Sequence, residues 1–161
     1  MNRQQVSALV LLDLSAAFDT IDHNILKNRL NTCFGISESA LSLLSSYLSC
    51  RTQSVIIGQH FSSELQLLRG VPQGSVLGPL LFSLYTTPLS HVLDDASIQF
   101  HFYADDTQLY ISFSSSDSDQ SLRHLSSVLD KVYSWFCANR LSVNPSKTEY
   151  LLIGTSQETL E

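Results

Sequence analysis

FYADDTQLY, residues 102–110, decides how the chain is read. Asp105 and Asp106 stand side by side, flanked by apolar and aromatic residues. Like charges repel, and a carboxylate taken out of water needs a partner or a metal ion. The flanks alternate: Ile98, Phe100 and Phe102 on one side, Leu109, Ile111 and Phe113 on the other. Alternation at period two predicts strands, and the short polar break between them predicts a β-hairpin over 98–113 with Asp105-Asp106 at its turn. Taken alone, such a turn needs no chemistry, because aspartate is a common turn residue.

Upstream, VSALVLLDL (6–14) is a continuous apolar run. It predicts a central strand buried on both faces, with Asp13 at its C-terminal end. Asp13 also interrupts what could be misread as a signal peptide, and no small-residue cleavage site follows at the right distance. Ile25, Leu26, Leu30 and Phe34 recur at helical spacing, predicting a helix over 22–34 that stops at Gly35. A second helix follows, with Ser37 as N-cap and Leu41, Leu44 and Leu48 as its stripe. TQSVIIG (52–58) and FSSELQLL (61–68) predict a hairpin around Gly58.

RGVPQGSVLGP (69–79) is a loop by its glycines and prolines, and Pro79 opens a helix that kinks near Pro88. Downstream, SSSDSDQS (114–121) reads as a mobile polar loop or helix cap. Leu122, Leu125, Leu129, Val132 and Phe136 mark an amphipathic helix, and TEYLLIG (148–154) a last strand. No repeat or linker interrupts this order. It predicts one α+β domain over 1–161, an antiparallel sheet with helices packed on one face, elaborated from the split β-α-β class.

Composition bounds the function. The apolar fraction of 43% suits a globular core, and no apolar run is long enough for a membrane span. Cys33, Cys50 and Cys137 are scattered and odd in number, against a disulfide scaffold or a zinc module. With no signal peptide, the expected location is intracellular, in cytoplasm or nucleus. The net charge of −6 lies entirely in residues 76–161, where four Lys/Arg face ten Asp/Glu. Nucleic-acid binding would therefore need basic surface from elsewhere. QGSVLG is not a nucleophile elbow, and no Walker lysine or G-x-G-x-x-G is present.

A carboxylate at a strand end and a pair at a hairpin turn meet if the two strands are neighbours. Asp13, Asp105 and Asp106 would then offer oxygen ligands to Mg²⁺. Two such ions about 3.5–4 Å apart can clamp both oxygens of a phosphoryl transfer.

LLDLSAAFDTIDH, RGVPQGSVLGPLLF, FYADD and NRLSVNPSKTEYLLIG, in that order, resemble the reverse transcriptase domain of LINE-type non-LTR retrotransposons, from about Ala8 to Gly154. The resemblance implies a polymerase palm working with two Mg²⁺ ions, with Mn²⁺ as a substitute. It implies that Asp13, Asp105 and Asp106 hold the metals, Asp105 as the partner carboxylate of Asp13 and Asp106 in a less essential role, with the Leu14 carbonyl beside them. Phe18 corresponds to the residue that rejects a ribose 2′-hydroxyl, though a core aromatic is the other reading. Gln73 and Gly74 correspond to the loop at the incoming nucleotide and template, Tyr103 to the aromatic at the primer end. For these, an ordinary turn and packing inside the hairpin are the alternatives. Lys147 corresponds to a lysine that protonates departing pyrophosphate; a solvated surface lysine is the other reading.

The implied partners are an RNA template, a DNA primer, deoxynucleoside triphosphates and a longer polyprotein with endonuclease, and no membrane. Fingers and thumb are expected to be missing from this stretch, leaving the isolated palm weak or inactive. The alternatives are a non-catalytic or co-opted palm module, and another palm enzyme such as an RNA polymerase or nucleotidyl cyclase. Phe18 argues against ribonucleotide use.

Overall fold

The computed structural model describes residues 5–96 and 98–154, Asp95 by its backbone alone. In chain order the elements are β1 (Gln5–Leu12), α1 (Ala17–Thr20), α2 (His23–Thr32), α3 (Glu38–Leu48), β2 (Thr52–Gln53), β3 (Ile56–Ile57), β4 (His60–Phe61) and β5 (Leu65–Gln66). Then come α4 (Leu77–Thr86), α5 (Leu89–Asp95), β6 (Gln99–Tyr103), β7 (Asp106–Ser114), a 3₁₀ turn (Ser115–Asp117), α6 (Ser118–Ala138) and β8 (Glu149–Ile153). The chain forms two compact units. One joins the residues up to Ser15 to those from Thr87 onward; the other is Ala16–Thr86. No described helix is long and apolar enough to cross a membrane.

The first unit is built on an antiparallel sheet of order β6-β7-β1-β8. Side chains alternate across a strand, so register decides which face each residue joins. Val6, Ala8, Val10 and Leu12 are buried and lie opposite Phe113, Ile111, Leu109 and Thr107. Leu129 and Val132 of α6 border one groove with Val10 and Leu12, which puts α6 on that face. Its buried stripe is Leu125, Val128, Val132 and Phe136; Leu122 and Leu129 are half-buried and Val128 joins the stripe. Each fully buried aliphatic chain of this kind contributes roughly 1.5–3 kcal/mol. His124 Nε2 contacts the Ala96 carbonyl at 2.8 Å and ties α6 to the end of α5.

The expectation that β1 is buried on both faces is corrected. Ser7, Leu9 and Leu11 are half-buried, and Ser7 Oγ bonds Ser112 Oγ at 2.8 Å. Their neighbours Leu151 and Ile153 on β8 are exposed. The apolar run in β1 therefore reflects sheet centrality more than two covering layers. The expected α+β arrangement, an antiparallel sheet with helices, is otherwise found.

The second unit is helical with a small hairpin. Asp22 caps α2, accepting from the backbone N–H groups of Asn24 and Ile25 at 2.8 and 3.2 Å. Gly35, at φ 67°, closes the far end, with its N–H bonding Asn31 and that of Ile36 bonding Leu30. Leu26 and Leu30 are fully buried, and α2 packs on α4 and α3. The Arg29 guanidinium lies 4.7 Å from the Tyr85 ring centroid and donates to the Tyr85 carbonyl. Burial lowers its pKa from the ordinary guanidinium value. Ser37 occupies the N-cap of α3 without a side-chain capping bond, and the next residue, Glu38, takes φ 49°. Of the expected stripe only Leu48 is buried, while Leu41 and Leu44 are half-buried. The hairpin forms as expected in two short ladders, β2 with β5 and β3 with β4.

At Pro88 the expected kink is a full break between α4 and α5, since proline lacks an N–H and clashes with the preceding turn. The segment 114–121, read as a mobile polar loop or a helix cap, is the 3₁₀ turn and the start of α6, with Asp117 at its N-cap and Ser114 Oγ donating to Asp117 Oδ2 at 2.6 Å.

Gly70 pins the loop before α4 to α1. Its N–H bonds the Ile21 carbonyl, that of Val71 bonds Phe18, both at 2.8 Å, and its carbonyl meets His23 Nε2 at 2.8 Å. A Cβ on Gly70 would lie 2.9 Å from the Asp19 Cα, at a φ of +83°. One on Gly74, at +74°, would meet nothing within 4 Å. Gly70→Ala is therefore expected to cost more than about 2 kcal/mol and Gly74→Ala about 1 kcal/mol. Denaturant midpoints of the two variants check the order; equal losses would contradict the close packing.

Candidate active site

Tyr103 pairs with Asp106, so Ala104 and Asp105 form the two-residue connection of the β6–β7 hairpin. This corrects the expected placement of both aspartates in the turn: Asp106 is the first residue of β7. Ala104 takes φ 53°, because tight two-residue turns demand a positive φ. Tyr103 is 72% exposed, which excludes packing inside the hairpin.

Leu12 lies opposite Thr107, so Asp13 and Asp106 each follow by one step on adjoining strands. Both share the face of Leu11 and Gln108, and with them line a cavity of about 420 Å³ that also takes in Lys147 and Glu149. Asp13 is held by its backbone. Asn144 N–H donates to its carbonyl at 2.8 Å, Ser15 N–H donates to Ser142 at 2.8 Å, and buried Leu14 bridges Val143. The same Asn144 organises the next turn. Its side-chain oxygen accepts from Ser146 N–H and Oγ at 3.1 and 2.7 Å, and its carbonyl from Lys147 N–H at 3.2 Å. Asn144 thus sets both the aspartate and the lysine.

Lys147 Nζ stands 3.6 Å from Asp13 Oδ2, an ion pair rather than a hydrogen bond. Asp13 Oδ2 is buried with no hydrogen-bond partner. A charged oxygen left this way is costly to keep, and the lysine offsets only part of that cost because its side chain is 67% exposed. Lys147 is thus an exposed lysine, as its surface reading has it, that also pairs with Asp13 at the edge of the cavity.

The expected meeting of three carboxylates is only partly realised. Asp13 and Asp106 share the cavity; Asp105, half-buried in the turn, is not among the residues lining it. Among the described residues, no group of three or more His, Cys, Asp or Glu is placed to hold a metal ion. The pleat accounts for the split: Asp106 follows the strand's alternation and Asp105 does not.

The remaining expected site residues lie in the other unit. Phe18 is half-buried with its ring 5.2 Å from that of Phe82, so a packing role is present whatever else it does. Gln73 is exposed and donates Nε2 to both oxygens of Asp19 at 3.2 and 3.1 Å. Gly74 is exposed, and its positive φ, with open space around it, is reason enough for glycine. The sequence reading missed Asp19, His23 and Gly70, which hold this loop. The glycine-proline content of 69–79 marked the loop but not its partners fifty residues away.

A family model for reverse transcriptase (RNA-dependent DNA polymerase) matches residues 1–160. The chain belongs to the reverse transcriptase family. The probable RNA-directed DNA polymerase from transposon BS of Drosophila melanogaster is 34% identical over 144 residues, 86% of this chain and 16% of that protein. The RNA-directed DNA polymerase from mobile element jockey of the same species is 33% identical over 113 residues, 66% of this chain and 12% of that protein. This reverse transcriptase chain thus spans less than a fifth of either curated relative. Both come from mobile elements, as the four sequence blocks implied. Apo telomerase from Candida tropicalis, truncated from its C-terminal domain, shares the fold, with a TM-score of 0.68 at 16% identity over 95% of this chain and 32% of that one.

The positive φ at Ala104 gives a direct test of the hairpin geometry. Ala104→Gly is expected to raise stability by about 1 kcal/mol by relieving the left-handed strain. Chemical denaturation measures it; a loss of stability would contradict the two-residue turn.

Proposed function

We propose that residues 1–161 act as one reverse transcriptase palm, adding deoxynucleotides to a primer 3′-hydroxyl on an RNA template. The observation that carries this reading is Asp13, whose buried Oδ2 has no hydrogen-bond partner and which lines a cavity together with Asp106. Hard carboxylate oxygens are the donor set that Mg²⁺ takes, together with substrate phosphates and water. The residues present therefore fit a divalent ion, with Mn²⁺ as a substitute. Asp13 and Asp106 would hold it, and Asp105 would be added from the turn. When bound, such ions polarise a phosphate and help ionise the attacking hydroxyl.

The chain's own residues supply the rest. Lys147 places a cation beside Asp13, where it can offset or protonate departing pyrophosphate. Exposed Tyr103 is free to stack on the primer end, and the Leu14 carbonyl is a further oxygen ligand in this reading. By the family resemblance, Phe18 would reject a ribose 2′-hydroxyl, and Gln73 and Gly74 would contact nucleotide and template. Catalysis of this kind is mainly positioning and charge stabilisation. The proposed partners are the RNA template, the DNA primer, deoxynucleoside triphosphates, and fingers, thumb and endonuclease of a longer polyprotein.

A second reading, a palm module that binds without catalysing, draws on the lack of a three-carboxylate group among the described residues. Single-nucleotide addition to a primer on an RNA template, with Mg²⁺ or Mn²⁺, separates the two. Polymerase chemistry predicts short, non-processive extension that drops at least about 100-fold in Asp13→Asn and in Asp105→Asn. Extension that survives both changes sinks it, and no extension at all favours the binding module.

A further inference from the structure

A second cavity, of about 500 Å³, lies within the 16–86 unit and is bordered by Asp19, Arg51, Arg69, Gly70 and Gln73. The two arginines reach it from the two feet of the hairpin. β2 pairs with β5 in the register Thr52 opposite Gln66, and the Leu67 N–H bonds the Arg51 carbonyl at 2.8 Å. Arg51 therefore precedes the ladder and Arg69 follows it, at the same end. The bridge between Asp22 and Arg69 and the contacts of Gly70 fix the second foot against α1 and α2.

The charges of this cavity are incompletely matched. Asp19, its one carboxylate, is engaged by the Gln73 amide. Among the described residues, neither guanidinium takes part in an ion pair or a side-chain hydrogen bond. Arg69 also borders a neighbouring cavity with Asp22, but that carboxylate is occupied in capping α2. Arg51 is half-buried, so its charge is partly withdrawn from water without a partner. A guanidinium is a planar fork of donors suited to phosphate oxygens. Two arginines against one aspartate leave a single positive charge. That balance matches one phosphodiester, which carries one negative charge, and falls short of a triphosphate.

We propose that Arg51 and Arg69 together clamp one phosphodiester of a single RNA strand. The choice of RNA rests on the reverse transcriptase reading above; the phosphate clamp itself does not. Such a clamp reads backbone and not bases, so it holds a moving strand without sequence preference. It also gives the chain a local basic site despite its acidic balance.

The test is binding of a fluorescent oligouridylate of about 12 nucleotides to the full chain across a salt series. In Arg51→Gln/Arg69→Gln the affinity is expected to fall about 10-fold or more at low salt. The slope of log affinity against log salt should become shallower by about 0.7, the contribution of one strand phosphate. Arg51→Lys/Arg69→Lys, which keeps the charge, should retain the slope. An unchanged slope and affinity in a Gln double variant that melts like the parent overturns the clamp, as does undetectable binding of the parent at low salt. If a metal-free nucleoside triphosphate displaces the RNA at equal concentration and loses its own binding in the Gln variant, the strand assignment is wrong. Arg123 is exposed on α6 and borders neither cavity, so Arg123→Gln should leave the salt slope untouched. If nucleotide addition fails while the Gln variant still loses slope, the polymerase reading falls and the phosphate clamp stands.

Discussion

The antiparallel register of β1 with β7 governs the candidate catalytic unit. Leu12 opposite Thr107 brings Asp13 and Asp106 to one end and one face of the sheet. A slip of one residue would flip β7, sending Leu109 and Phe113 out of the core and turning Asp106 onto the core face. Burial of Val10, Leu12, Leu109 and Phe113 against α6 therefore fixes the carboxylates as firmly as it fixes the core. Core packing and site geometry are here the same constraint.

The site carries an unbalanced charge that the fold tolerates. Asp13 Oδ2 is out of water without a hydrogen bond, and Lys147 is close enough to attract it but not to bond it. The Asn144 turn makes this arrangement reproducible, because one residue bonds the backbone of Asp13 and of Lys147 alike. The other unit repeats the theme with opposite sign, where Arg51 and Arg69 border a cavity that holds one engaged aspartate. Each cavity retains charge that its own side chains do not neutralise, a pattern suited to charged ligands rather than to stability.

Much of this was legible in the sequence because periodicity is a local signal. The 98–113 hairpin, the 122–136 helix and both strands that flank β1 followed from spacing alone, and the four blocks placed the family. What the sequence hid was relational. Nothing local distinguishes Asp105 from Asp106; only the pairing of Tyr103 with Asp106 puts one in the turn and the other on the strand. Lys147 gained its partner through a turn 130 residues beyond Asp13. Leu41 and Leu44 sit at helical spacing yet are half-buried, since a stripe shows only that a face can be covered. The division at Ser15 and Thr86 was not legible as a boundary: Pro88, beside the second, read only as a kink, and the acidic bias that begins near residue 76 marked no unit edge.

Metal binding by the β1–β7 carboxylates is open to one direct measurement, Mn²⁺-induced broadening of backbone amide resonances in the isotope-labelled chain. Selective loss of signal at Asp13, Asp106 and Lys147 at substoichiometric Mn²⁺, abolished together in Asp106→Asn, is the result the shared cavity predicts. Broadening that is uniform across the acidic surface, or that persists unchanged in Asp106→Asn, would contradict it.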